Sequence, residues 1–456
     1  MSSLDRVKYF ANTNQITEAE KIERLCDIII ARDFSGEKCL NSVISEIAAY
    51  ANNTANRMSE ELSTKTAQVL AVPTVNDFPN YVENSFFRIH YENTMSITVA
   101  NAIANAFLAY KNHLNSLGFV DALPDSNFNS DPNNIKYNVY VTASSHSDPN
   151  TTGTATPISI VENRKCTSHI YLYNVTSIIN EDVKDAIAHE YFHAVQFAYN
   201  ASYPDNISRW FSEACATWYS TYMGNGENIS NNISSYFALG FNARKLISND
   251  YMYAKALFPL AIDIAYGGPE TIRLINVYFS TINNNIDFAT IKNAVNYAIQ
   301  ANNRTGTFDD VFKTFAIYCT APNYYYQSRI PLIDEEEELY YEWNNTSFVS
   351  SSYSSSLCEE YGIVFTKLSP PSTVQTYSVS GTITFEEAVS GSSVYLAKVR
   401  ENSVGACTSS FVSLYNSTFS INETSLGSNQ AKVVYYAVIN IGENNRTTIS
   451  STTTLN

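Results

Sequence analysis

The chain is short of charge, of histidine and of long apolar runs. Only 16% of its residues are charged, and acidic residues outnumber basic ones by 44 to 28. The resulting net charge of −16 repels phosphate backbones and anionic lipid, which argues against nucleic-acid or membrane-surface binding. No window approaches the roughly twenty consecutive apolar residues that a membrane-spanning helix needs. The seven cysteines include no CxxC pair, so a cysteine-based zinc site is not expected. Cys26 with Cys39, and Cys358 with Cys407, are spaced so that bridges could form; the other reading is that every cysteine is a free, buried thiol. The first residues, MSSLDRVKYFANTNQ, lack the apolar core of a signal peptide. That fits either a cytosolic chain or a secreted one whose signal was removed. Asn-x-Ser/Thr sequons at Asn174, Asn206, Asn228 and Asn416 tip the expectation toward a secreted or cell-surface protein.

What is present is enough apolar material, 45% of 456 residues, to fill more than one core. Residues 1–80 read as a helical segment: ITEAEKIERLCDIIIARDF has helical spacing, with Thr17, Glu18 and Glu20 as a start signal. Residues 81–345 mix strands and helices. FFRIHYE, YNVYVTA, PISIVEN and HIYLYNV read as strands, and ITVANAIANAFLAYKNHLNSLGF as a helix ended by Gly118. Helices dominate from Asn180 to about residue 320, so the class is α+β. An acidic run, IDEEEELYYEW, and a Ser-rich stretch that reads as a linker follow. Residues 357–456 alternate at period two and read as a C-terminal β-sandwich.

The chemistry concentrates in NEDVKDAIAHEYFHAVQFAYN, residues 180–200. Asn180 can cap a helix, and Glu181 and Asp182 favour its positive end. His189 and His193 then lie one turn apart on one face, where two imidazoles can bind one metal ion. Glu190, one residue round, can reach a metal-bound water without ligating the metal, which is the HExxH arrangement of zinc hydrolases. With six histidines in the chain, a chance HExxH has a probability on the order of one per cent or less. The competing reading is two surface histidines on an ordinary amphipathic helix.

Catalytic zinc takes three protein ligands and keeps one position open. A third His in the pattern HExxHxxGxxH fails here, because Gln196 and Tyr199 occupy the Gly and His positions. The alternative is a carboxylate on a following helix, and RWFSEACATWYSTYM supplies Glu213. Its neighbours Trp210, Phe211 and Trp218 suggest a buried helix, where a lone carboxylate would be costly and a metal would relieve the cost.

HEYFH followed by this glutamate resembles the gluzincin metallopeptidases, the clan that includes thermolysin, whose zinc ligands are two His and a downstream Glu. The wider match, HEYFHAVQ with WFSEACATW and the FRIHY and YNVYV strands, resembles a group of mostly secreted bacterial metalloprotease-like proteins across residues 85–265. The resemblance implies a zincin-like core, one catalytic Zn2+, and a protein or peptide substrate bound as an added strand along a sheet edge, with HIYLYNV or PISIVEN supplying that edge. It also implies a role for Tyr253 in stabilising the oxyanion. The chain departs from thermolysin in having no His after His193 and in carrying Thr217 where a carboxylate usually orients a ligand His, so another residue must do so.

Weaker signals remain. Asp125, Asn127, Asn129 and Asp131 alternate as in a Ca2+ loop, but the Gly and the distal Glu are missing. His90, His113, His146 and His169 are isolated and read as structural or solvent-exposed. Cys215, near Glu213, reads as a buried helix cysteine rather than a nucleophile. The leading expectation is a monomeric zinc endopeptidase with Glu190 as general base. Two others are a zinc hydrolase of a non-peptide bond, and a catalytically weak protein that binds a surface or polysaccharide on a zincin scaffold.

Overall fold

The structure, a computed structural model, describes residues 15–31, 58–69, 77–125, 134–143, 152–162, 164–175, 179–200, 209–223, 254–283, 286–320 and, from 351 onward, eight strands with short flanks, plus isolated positions elsewhere. In chain order the first elements are α1 (Glu18–Ala31), α2 (Glu60–Val69), β1 (Asn80–Glu83), β2 (Phe87–Tyr91), α3 (Ile97–Ser116), β3 (Leu123–Pro124), β4 (Tyr137–Val141), β5 (Gly153–Glu162) and β6 (Lys165–Leu172). Then come α4 (Glu181–Tyr199), α5 (Arg209–Tyr222), α6 (Leu257–Ala265), α7 (Pro269–Ser280), α8 (Phe288–Ala301) and α9 (Phe308–Thr320). The strands that follow are β7 (Ser351–Cys358), β8 (Gly362–Leu368), β9 (Thr376–Phe385), β10 (Val394–Glu401), β11 (Cys407–Leu414), β12 (Thr418–Thr424), β13 (Val433–Asn440) and β14 (Thr447–Leu455). No described helix is long and apolar enough to cross a membrane.

By packing, the chain divides into two compact units, residues 1–225 with 269–302, and residues 226–268 with 303–456. The division differs from the boundaries drawn on composition: α6 and α9 group with the late strands, whereas α7 and α8 group with the early ones.

In the first unit, α1 and α2 share a small core of their own, built from Ile22, Leu25, Cys26, Ile28 and Leu62. Thr17 opens α1 with a reciprocal cap: its hydroxyl accepts from the Glu20 N–H, and the Glu20 carboxylate accepts from the Thr17 N–H at 2.7 Å. Cys26 is a buried free thiol, so the Cys26–Cys39 bridge is not made. Burial pushes that thiol up to about 12.

The sheet of this unit runs β1-β2-β4-β6, with the short β3 beside the start of β6 and β5 on the far side of β6. β2, β4, β6 and β3 pair in parallel, while β1 and β5 are antiparallel to their neighbours. Every residue of β4 is buried, the mark of a strand covered on both faces. One face packs Phe87 and Tyr137 edge-on against Tyr191 of α4. The opposite face carries a polar group: Asn138 donates to Asp125 at 2.6 Å, pairs with His90 at 3.0 Å, and the Asp125 carboxylate lies 3.4 Å from His169. His90 and His169 are therefore buried rather than solvated. Of the calcium-loop residues, Asp125 turns its carboxylate into this cluster; Asn127, Asn129 and Asp131 lie outside the described residues.

α3 starts at Ser96, whose hydroxyl accepts from the Val99 N–H, and it ends at Gly118, which takes φ +83°, a conformation cheap only for glycine.

In the second unit the late strands form two four-stranded antiparallel sheets, ordered β11-β10-β13-β8 and β12-β9-β14-β7. The Ser-rich stretch read as a linker is in part β7, paired with β14. Its ladder is made by backbone groups, which need no apolar pattern in the side chains. α9 packs on α6 and on β10 and β13, and Tyr361 anchors it by donating to Asp309 at 3.0 Å.

Candidate metal centre

α4 begins where the Asn180 side chain accepts from the Val183 N–H at 3.0 Å, with Glu181 and Asp182 in the first turn against the helix dipole. From Ala186 to Tyr199 every residue is buried. α4 is thus no surface helix. It lies between the sheet and helices α3, α5 and α7, which removes the reading of His189 and His193 as surface histidines. α5 packs against it and is buried from Arg209 to Thr221, so it brings Glu213 inward as well.

The three side chains converge on one point. His189 Nε2 lies 3.2 Å from Glu213 Oε2, His193 Nε2 lies 3.3 Å from the same oxygen, and the two Nε2 atoms are 3.1 Å apart. Among the described residues this is the one group of three or more His, Cys, Asp and Glu side chains that could share an ion. The spacing can be tested against zinc. Ligand bonds of about 2.0–2.1 Å in a tetrahedron place the ligand atoms about 3.3–3.4 Å apart, and the three observed edges fall within about 0.3 Å of that. Two imidazole nitrogens and one carboxylate oxygen are also a donor set that suits zinc and leaves a position open. The residues fit the ion.

Exposure is uneven. The side chains of His193 and Glu213 are each 2% accessible, and that of His189 is 11%, so solvent reaches the group from the His189 side.

Electrostatics holds the group together even without an ion. Burial alone would push the Glu213 carboxyl up, but the His193 charge and the hydrogen bonds from both rings outweigh it and hold the carboxyl well below the usual carboxylate range. At His189 burial opposes the charged ring; the Glu213 hydrogen bond and the Glu190 charge more than offset it and raise the pKa.

Glu190 follows His189 on the helix and is 3% exposed. Its side chain lies against the backbone of Gly153, the first residue of β5: a methyl group there would sit 2.7 Å from Glu190 Cγ. Gly153 therefore makes the room that Glu190 occupies. Behind His193, Nδ1 meets Gln196 Oε1 at 2.7 Å, and Ser212, just before Glu213, also contacts that amide.

The structure thus brings His189, His193 and Glu213 together and sets Glu190 beside them. Tyr253 lies outside the described residues. Cys215 is fully buried with its thiol pushed up by burial, as expected of a packed cysteine. Gly153, Gln196 and Ser212 were not singled out as functional from the sequence. Only Gln196 carried a signal, its place one turn after His193 on the same helix.

No protein-family profile matches the chain, and no curated protein matches it. Among solved structures, the Yersinia pseudotuberculosis-derived mitogen aligns at 6% identity over 23% of this chain and 86% of its own, with a TM-score of 0.19. A family GH115 4-O-methyl-α-glucuronidase with specificity for decorated arabinogalactans aligns at 8% identity over 63% of this chain and 46% of its own, with a TM-score of 0.17. Likenesses this slight carry no argument about fold or activity.

Proposed function

We propose that the protein is a zinc-dependent peptidase whose metal is held by His189, His193 and Glu213 and whose general base is Glu190. The observation that carries the reading is the triangle of ligand atoms, with edges of 3.1–3.3 Å, that α4 and α5 bury beside a second carboxylate. A zinc ion held there supplies a Lewis acid that polarises a carbonyl and lowers the pKa of a bound water toward 7. The rest falls to the chain. Glu190 takes the proton of the attacking water on a carboxylate oxygen and hands it to the leaving amine. Gly153 keeps its stem close to β5.

The sheet edge supports an extended substrate. β6 is paired on both sides, so it has no edge to offer; β5 pairs with β6 and with no other described strand. β5 starts at Gly153, beside Glu190, so a peptide running along β5 would pass the base. Under this proposal the partner is a protein or peptide substrate, and Tyr253 is the oxyanion donor that the gluzincin resemblance implies.

Cleavage of a quenched-fluorescent peptide library tests the reading. Cleavage should stop on chelation, return with zinc, and be lost in Glu190→Gln, which should still hold zinc. A protein that holds about one zinc but cuts no peptide would end the peptidase reading and leave the metal centre standing.

A further inference from the structure

We infer that Gln196 is the positioning residue for His193, and that it sets the ring tautomer by relaying the polarity of the Ser212 main-chain carbonyl. The inference rests on the zinc reading above.

The chain of bonds leaves one assignment. The Ser212 carbonyl oxygen can only accept, and it lies 3.2 Å from one terminal atom of the Gln196 side chain. That atom must be the amide nitrogen. Turning the amide over would set two acceptors against each other at that distance. The amide oxygen is then the atom 2.7 Å from His193 Nδ1, and it also accepts from the Ser212 hydroxyl at 2.9 Å. An acceptor faces Nδ1, so Nδ1 must carry a proton. In the neutral ring that a metal ligates, Nε2 then keeps its lone pair, and Nε2 is the atom that faces His189 and Glu213. A buried carbonyl one residue before Glu213 thus decides which nitrogen of His193 is free to ligate.

Three further facts mark this as a built arrangement. Gln196 is 1% exposed and Ser212 is 7% exposed, so water competes poorly for these bonds. The network ties α4 to α5, the two helices that carry the ligands. It also answers the departure at Thr217: the acceptor that steadies a ligand His comes from the histidine's own helix, one turn on, rather than from the helix of the glutamate. Such outer partners of metal-bound His change affinity by about 10–100-fold when removed.

The test uses two isosteric variants, Gln196→Met and Gln196→Glu, and reads zinc affinity by competition with a chromophoric chelator. Methionine keeps the volume and removes the acceptor; glutamate, held as the neutral acid, keeps the acceptor and donates its O–H to the Ser212 carbonyl as the amide did. Gln196→Met should lose about 10–100-fold in zinc affinity, and Gln196→Glu should stay within a few-fold of the parent or bind more tightly. Equal losses in both, or no loss in Gln196→Met, would overturn the inference. Should Gln196→Met fail to fold, the zinc-loaded parent carries the test by NMR. A slowly exchanging, downfield His193 Nδ1 proton is expected, and an Nδ1 proton in fast exchange with water would refute the relay. A parent chain that binds no zinc would instead overturn the reading beneath it, and that outcome is visible before any variant is made.

Discussion

Gly153→Ala is a small change with a large expected effect on turnover. The added methyl would sit 2.7 Å from Glu190 Cγ and 3.4 Å from both Cδ and Oε1. Carbon atoms rest about 3.5–4.0 Å apart, so the Glu190 stem or the β5 backbone must retreat by about 1 Å. Cγ is too near the α4 backbone to swing clear by itself, and a rotation at the base of the side chain carries the carboxylate with it. A misplacement of about 1 Å can cost about 100-fold in rate, or roughly 2.7 kcal/mol of barrier. The assay is kcat on a peptide taken from the cleavage library, with zinc content measured on the same samples. Turnover should fall about 100-fold while zinc stays bound, because no ligand is touched. Combined with Glu190→Gln, the alanine should add little, since both changes act through one group. A Gly153→Ala protein with unchanged kcat would refute the reasoning, as would full additivity with Glu190→Gln.

Three other outcomes follow from the same geometry. Asn200, fully buried, donates to the carbonyls of Phe279 at 2.8 Å and Ile282 at 3.1 Å at the end of α7; Asn200→Ala should cost about 2–3 kcal/mol in urea unfolding. Asp287 caps α8 by accepting from the Thr290 hydroxyl and N–H, and these bonds hold its carboxyl below the ordinary 3.8. Asp287→Ala should cost about 1 kcal/mol at neutral pH. A depressed carboxylate stabilises above its unfolded pKa and stops doing so as pH falls through its folded pKa, so the gap between parent and variant should close in acid below 3.8. Free zinc at a thousand times its Kd should stabilise the native chain by about 4 kcal/mol, so a chelator should lower the Tm of the parent and leave that of Glu213→Gln unchanged.

How much of this was legible in the sequence depends on how local each feature is. The cap at Asn180 and the face shared by His189 and His193 follow from helical spacing within one segment, and both could be read directly. Glu213 needed one further assumption, that the next helix folds back. Gln196 was visible only as the residue that breaks a longer histidine motif. Its role depends on Ser212, which reaches it through the way two helices pack. Gly153 lies ahead of the strand PISIVEN that the sequence predicts, and it gains meaning only when the sheet sets β5 beside α4. His90, Asn138, Asp125 and His169 look isolated along the chain, and it is the parallel register of β2, β4 and β6 that gathers them on one face. β7 reads as a linker because its serines hide a strand whose partner, β14, lies at the far end of the chain.

The proposed zinc centre is tested most directly by anomalous diffraction on crystals of the zinc-loaded protein, with data collected on both sides of the zinc absorption edge. The account predicts a single strong peak bounded by His189 Nε2, His193 Nε2 and Glu213 Oε2, absent from Glu213→Ala crystals grown alike. No peak at that point, or a peak ligated by other residues, would contradict it.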